Sequence, residues 1–209
     1  MRPRLFLITP IDGPADQIVA RVSAALSGGD VASLLIDIEA IDPGNRQTLV
    51  KSLVEVCQKA DVAALIRNDT QLAGHAGADG VHVDADLGDL ESILTSFRPR
   101  NIIGVGGIAN RHDALLVGNM DIDYVFFGQL DRPENENADP VAIAMAEWWS
   151  PIVEIPCIAL AGNSDEALLQ ACETGAEFVG IRAYAWNNHD GPADAVRKAN
   201  GILDGFKDE

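Results

Sequence analysis

Positive charge is scarce in this chain. Fifteen lysines and arginines stand against 32 aspartates and glutamates, a net charge of −17 over 209 residues. Nucleic-acid grooves and anionic membrane surfaces both need basic patches, so both are excluded as partners. An anionic small molecule would need locally gathered cations or backbone N–H groups. Cysteine is scarce too. Cys57, Cys157 and Cys172 are odd in number, lack metal-ligand spacing and lie in apolar or helical contexts. Neither a disulfide framework nor a zinc site is expected, and the thiols read as reduced. Long apolar runs are missing. No segment reaches the ~20 residues of a membrane-spanning helix, and the opening MRPRLFLITP has too short an apolar run for a signal peptide. The cytoplasm is the expected location. The chain also shows no linker and no low-complexity tract. No glycine fingerprint follows the first expected strand, where Pro10-Ile11-Asp12-Gly13-Pro14 stands instead.

What the chain does have is alternation. Hydrophobic residues make up 47%, enough for a globular core. Short apolar runs rich in Val and Ile are expected as strands at 5–8, 31–38, 62–66, 80–83, 102–105, 124–127, 155–160 and 178–181. Between them helical spacing recurs, as in Ile18, Val19, Val22, Ala25 and Leu26, or Leu49, Leu53, Val54 and Cys57. Further helices are expected over 87–97, 111–118 and 140–149, the last opened by Asp139 as cap with Pro140 in its first turn. Asn163 or Ser164 caps a helix running to about residue 174, and a last amphipathic helix covers 193–206. Strands apolar throughout are buried on both faces, which is the habit of parallel sheets under helices. Eight such strands with intervening helices predict a single-domain (β/α)₈ TIM barrel over residues 1–209, near the lower end of the usual ~200–250 residues. A doubly wound sheet is the alternative.

The stretch from Ala64 to Asp84, ALIRNDTQLAGHAGADGVHVD, is the clearest β-α-β unit. It puts Asn68 and Asp69 where a strand ends and a helix begins, the edge at which such folds bind ligands. Three helix-to-strand turns share one pattern, at 76–81, 119–125 and 174–180. Each ends a helix with Gly or Asn and starts a strand after an acid, and these acids are expected to be structural.

These motifs resemble the thiamine phosphate synthase family, which includes thiazole tautomerase relatives, and the chain reads as a divergent member. The similar elements are LFLITP, Gly28-Gly29, Asn68-Asp69, GADGVHV from Gly77 to Val83, IIGVGG, DYVFFG, IPCIALAGN and TGAEFVGIRA. The resemblance implies a transferase of thiamin biosynthesis. It would join an aminopyrimidine diphosphate to a thiazole phosphate with loss of diphosphate, using Mg²⁺. Asp69 would then be a metal ligand. The second would be one of Asp84, Asp86 and Asp89, with Asp86 preferred. Asn68, Gly106, Gly162, Arg182 and Ala183 would face substrate or phosphate, the last two where the family usually has Val-Ser.

Against the family pattern the diphosphate side is altered. Gln-x-Arg-x-Lys after strand two is replaced by Leu35-Ile36-Asp37-Ile38-Glu39, so an amide and two cations become an aliphatic residue and two acids. The serine after strand five is Gly106. The tautomerase histidine region holds Ile108. The threonine- and lysine-bearing loop after strand six runs from Gln129 to Asp139, with Arg132 its only cation. The expectation is therefore weak or altered synthase activity. The alternative is a non-catalytic or regulatory barrel that binds a phosphorylated small molecule, and a second copy of the chain is an open option as partner. An isomerase or aldolase of another phosphate-binding barrel ranks last, because no Lys or His stands suitably at a strand end.

Several residues carry two readings. Asp69 is a metal ligand, a helix cap or both. Asp37 and Glu39 point into the barrel mouth as metal or amine ligands, or form a solvated strand end. Arg67 and Arg182 build an anion site or are surface charge. His82 reads as a satisfied core histidine, Trp148 and Trp149 as packing, His189 as exposed loop, and Cys157 as inert.

Overall fold

In a computed structural model, eight parallel strands close into a barrel in chain order, each hydrogen-bonded to the next and β8 to β1. The structure describes residues 2–10, 13–39, 41, 43–84, 87–97 and 99–206, with backbone alone for 87–89. The strands are β1 (Arg4–Ile8), β2 (Val31–Ile36), β3 (Ala63–Arg67), β4 (Gly80–Asp84), β5 (Ile102–Gly106), β6 (Tyr124–Phe127), β7 (Cys157–Leu160) and β8 (Phe178–Ile181). The helices are α1 (Ala15–Leu26), α2 (Arg46–Lys59), α3 (Thr70–Ala76), α4 (Leu87–Phe97), α5 (Arg111–Val117), α6 (Pro140–Trp149), α7 (Asp165–Glu173), α8 (Ala183–Trp186) and α9 (Pro192–Leu203), with a 3₁₀ turn at Asp204–Phe206.

The expected (β/α)₈ barrel is thus observed, with four local corrections. β2 stops at Ile36, so Asp37 and Ile38 lie beyond the strand. β3 extends through Arg67. β7 begins at Cys157, two residues later than the sequence suggests. The short α8 was not expected, since four residues are too few to show helical periodicity.

Side-chain alternation sorts the strands into two apolar layers. Phe6, Ile8, Leu35, Leu65, Tyr124, Phe126, Ile158 and Leu160 fill the barrel interior, capped by Leu130. The intervening residues, among them Leu7, Leu34, Ile66, Val83, Val105 and Phe127, pack outward under the helices. Each such side chain contributes about 1.5–3 kcal/mol on full burial. Glycine appears where larger neighbours claim its space. A Cβ on Gly104 would lie 1.8 Å from the Tyr124 ring, and one on Gly106 would lie 2.5 Å from His82 Nε2.

Local chemistry sets the helix starts. Asp69, Asn110, Asp139 and Ser164 accept from the backbone N–H of Leu72, Asp113, Val141 and Ala167 respectively, each contact holding about 1 kcal/mol. Ser164, not Asn163, is the α7 cap. The repeated turn acids behave as structural groups at the bottom of the barrel. Asp79 accepts from Ala64 N–H at 2.8 Å, Asp123 from Ile103 N–H at 2.7 Å and Glu177 from Cys157 N–H at 2.9 Å. Each acid takes an N–H at the start of a neighbouring strand. Trp149 is fully buried, and Trp148 packs under the Arg111 guanidinium at 5.0 Å. Among the described residues no helix is long and apolar enough to cross a membrane.

Candidate functional site

The inward rows that fill the barrel turn polar at its upper end. One step of two residues past Leu35 reaches Asp37, past Leu65 reaches Arg67, past His82 reaches Asp84, and past Gly180 reaches Arg182. All four side chains meet at the carboxyl ends of the strands, the face where such barrels carry their chemistry.

Arg67 lies at the centre, with its side chain only 3% exposed. Its Nη1 donates to Asp37 Oδ2 at 3.1 Å, its Nε to Asp84 Oδ2 at 3.0 Å, and its Nη2 to Asp131 Oδ1. Glu39 stands 3.8 Å away with its side chain 59% exposed. Burial works against the Arg67 charge, but the Asp131 hydrogen bond and the charges of Asp37 and Asp84 outweigh it, so its pKa rises above the ordinary arginine value. Asp37 is buried, takes the Glu39 N–H at 3.2 Å, and gives its own N–H to Thr9 Oγ1 at 3.0 Å. The two readings therefore divide: Asp37 points into the mouth, while Glu39 is largely solvated. Among the described residues the charged partner of Asp37 is Arg67.

Arg182 forms a second closed group. Its Nε donates to Glu134 Oε1 at 2.7 Å, its Nη1 to the Leu130 carbonyl at 2.8 Å and its Nη2 to the Arg132 carbonyl at 2.7 Å. The other Glu134 oxygen takes the Ala183 N–H at 3.3 Å. Asp37 links the two groups, with Oδ2 3.9 Å from Arg182 Nη1. Neither arginine is surface charge, and neither presents an open cationic edge.

Asn68 has left the strand with φ 55°. Its amide donates to Asp84 Oδ2 at 2.7 Å and accepts from Asp84 N–H at 2.9 Å, stapling β3 to β4. Asp69 caps α3, accepting from Leu72 N–H at 2.8 Å, so the capping reading is realised. It lines a cavity of about 260 Å³ with Asn68, Thr70, Val83, Asp84 and Ile93. Asp86 lies outside the described residues, as does the side chain of Asp89. Among the described residues no three His, Cys, Asp or Glu side chains are grouped to hold a metal ion.

His82 is fully buried. Its Nδ1 meets Tyr124 Oη at 2.9 Å, but its Nε2 has no partner among the described residues and sits 3.8 Å from Asp84 Oδ1. The expected satisfied histidine is thus only half satisfied. Burial, with Arg67 adding to it and Asp84 opposing, depresses its pKa to about 4, so the ring is neutral at pH 7. Tyr124 Oη is held protonated by the same burial. Cys157 is buried with its thiol pushed up to about 12, which keeps it inert, and His189 is exposed beside Asp190.

The remaining expected residues divide between wall and floor. Leu35 is a fully buried part of the inner core. Gly106 fits against His82, which leaves no room there for a serine side chain. Gly162 is pressed against the β6–α6 loop; a Cβ there would lie 2.5–2.6 Å from backbone atoms of Asn137 and Glu136. That loop and Leu160, Ala161 and Gly162 enclose about 600 Å³. A second space of about 400 Å³ opens between Arg67, Asp84, Gly107, Ile108 and the first residues of the loop. Sequence reading missed Asp131 and Glu134. They lie 64 and 48 residues from their arginines, and no local pattern marks such pairs. Asp84 was within reach, because it continues the inward row of His82.

Comparison with known proteins gives this geometry a context. Residues 5–183 match the family model described as thiamine monophosphate synthase. The chain is similar to the thiamine-phosphate synthase of Hyphomonas neptunium, at 32% identity over 97% of this chain and 95% of that one. It is similar to the thiamine-phosphate synthase of Rhodospirillum centenum at 30% identity, over 97% and 98%. Among solved structures it is similar to the thiamine phosphate pyrophosphorylase from Pyrococcus furiosus, with TM-score 0.81 and 19% identity over 98% of this chain and 96% of that one. At that identity the structural likeness shows the fold.

Proposed function

The chain belongs to the thiamine monophosphate synthase family, and we propose that it joins an aminopyrimidine diphosphate to a thiazole phosphate with low turnover. The observation that carries the second half of this reading is the closure of Arg67 by Asp37, Asp84 and Asp131. A departing diphosphate needs free cationic donors for its developing charge. Here the family's cation and lysine after β2 are Asp37 and Glu39, and the arginine that stands nearest is already neutralised. Each charge-assisted contact is worth roughly 1.5–3 kcal/mol. Two missing ones lower the rate by about 10²–10⁴-fold at ~1.4 kcal/mol per decade.

The Mg²⁺ implied by the resemblance does not fit the inner carboxylates as they stand. Asp37, Asp84 and Asp131 converge on a guanidinium, and a divalent cation placed among them would meet that charge at close range. Asp69 has one oxygen on the Leu72 N–H. What the described residues supply is a buried floor of Phe126, Tyr124 and neutral His82 under a mouth whose arginines are paired with acids.

The test is thiamine phosphate formation by the purified protein with both heterocycles, in parallel with the Hyphomonas neptunium relative. Product at a rate about 10²–10⁴ below the relative is expected. Equal rates would reject the impairment. Absence of product would reject synthase activity and favour a non-catalytic barrel binding a phosphorylated small molecule, a reading supported by the acids Asp37 and Glu39 where the family carries cations. Stabilisation by thiazole phosphate in a thermal-shift assay would then support that second reading.

A further inference from the structure

We propose that the loop between β6 and α6 is a self-inhibiting latch. In it the Glu134 carboxylate stands in for the phosphate of a ligand at Arg182 and the Ala183 N–H, and a phosphate-bearing ligand opens the loop by taking that place. Glu134 spans a guanidinium edge and a backbone N–H at once, with Oε1 2.7 Å from Arg182 Nε and 2.7 Å from Nη2, and Oε2 3.3 Å from Ala183 N. Phosphate oxygens use the same donors in the same planar fork, and a phosphate carries more charge than a carboxylate. The ion pair is sheltered, with the two side chains 5% and 7% exposed. A sheltered cation keeps its preference for an anion whichever anion supplies it.

The way the loop is held makes it releasable. Its apolar anchors are Leu130 and Ala138, while Asp131, Arg132, Pro133, Asn135, Glu136 and Asn137 are exposed. Besides Glu134, the tethers are the Leu130 and Arg132 carbonyls on Arg182, the exposed Asp131 carboxylate on Arg67 and the Asn163 N–H on the Asn135 carbonyl at 2.8 Å. Three of these five contacts run through the Arg182 guanidinium and its anion, so exchanging that anion frees Glu134 and leaves this part of the loop on Arg182 by two neutral carbonyls alone. The loop begins at Gly128, with φ 151°, a backbone conformation that glycine adopts readily, and ends at the cap Asp139 before Pro140. Segments with few buried apolar contacts open most easily. The cavity of about 600 Å³ bounded by Glu134, Asn137 and Gly162 lies beside the pair and gives the rest of a ligand somewhere to sit.

The probe is inorganic phosphate, so the result does not depend on turnover and is separable from the catalytic reading. Phosphate affinity is measured by calorimetry for the full chain and for E134Q and E134A. Hydrogen exchange of residues 129–139 is followed with and without phosphate. The latch predicts at least tenfold tighter phosphate binding in both variants and faster loop exchange in the unsubstituted protein once phosphate is added. Loss of binding in R182M is also expected. Equal affinity in all three proteins, no phosphate binding by any of them, or loop exchange unmoved by phosphate would overturn it. If a variant fails to fold, loop exchange in the unsubstituted protein decides.

Discussion

Arg67 and Arg182 rise from the ends of two inward rows, both nearly fully buried and both surrounded by oxygen acceptors. Their partners come from different parts of the fold. Two of the three acids on Arg67, Asp37 and Asp84, stand at strand ends tied into the barrel, with Asp84 stapled to Asn68 and Asp37 to Thr9; the third, the exposed Asp131, comes from the 129–139 loop. All the hydrogen bonds on Arg182 lead to the 129–139 loop. The same side chain is thus part of a fixed frame on one side of the mouth and of a movable contact on the other. Charge neutralisation alone does not decide whether a cation is available to a ligand; what decides is whether its partner can leave.

The largest effect should separate the two arginines directly. Arg67→Met leaves Asp37 buried without its main cation, and breaking such a pair costs about 3–5 kcal/mol. In Arg182→Met the loop can turn Glu134 into water, so the loss should stay near 1–3 kcal/mol, that of a charged hydrogen bond. Urea unfolding of both variants checks the ordering, and equal losses would mean that the loop is as fixed as the strands.

A second difference lies beneath the arginines. Under Asp84 sits His82, neutral with a pKa depressed to about 4, whereas under Arg182 sits Gly180. Between the ordinary value near 6.5 and the folded value near 4, the unfolded chain binds the proton and the native chain does not. Stability therefore falls as pH drops through that window, by up to about 3 kcal/mol at ~1.4 kcal/mol per pH unit. His82→Gln should flatten this component of the urea-unfolding profile between pH 7 and 4. An unchanged profile would mean that His82 takes up its proton as easily folded as unfolded.

Smaller effects sharpen the roles of the outer acids. Asp69→Ala should cost about 1 kcal/mol as a lost helix cap. Asp131 is 73% exposed, and Asp131→Asn should change stability by less than about 1 kcal/mol. A loss at Asp131 as large as that at Arg67 would show that the loop carries the frame.

The barrel was legible because each strand is apolar on both faces and each helix keeps its own spacing. The caps, Asp139 and one of Asn163 and Ser164, were legible because a cap's partner is two or three residues away; the turn acids were legible as structural because one pattern recurs at three helix-to-strand turns. Asp37, Arg67 and Arg182 could be placed at the mouth by alternation. What each would touch was not legible, since Asp131 and Glu134 come from a loop without periodicity and meet their partners only when the barrel closes. Asp69 shows the limit of a motif: one carboxylate serves a metal ligand and a cap alike, and its bond to the Leu72 N–H shows the cap without deciding the other role.

One exchange experiment tests the contrast between the two arginines in a single sample. Amide hydrogen exchange is followed with and without inorganic phosphate at Asn68 and Asp84, whose N–H groups sit in the Arg67 frame, and at Asn163 and the 129–139 loop. A releasable Arg182 beside a fixed Arg67 predicts that phosphate speeds the loop and Asn163 while Asn68 and Asp84 stay unchanged. Acceleration of all of them together, or of none, would contradict it.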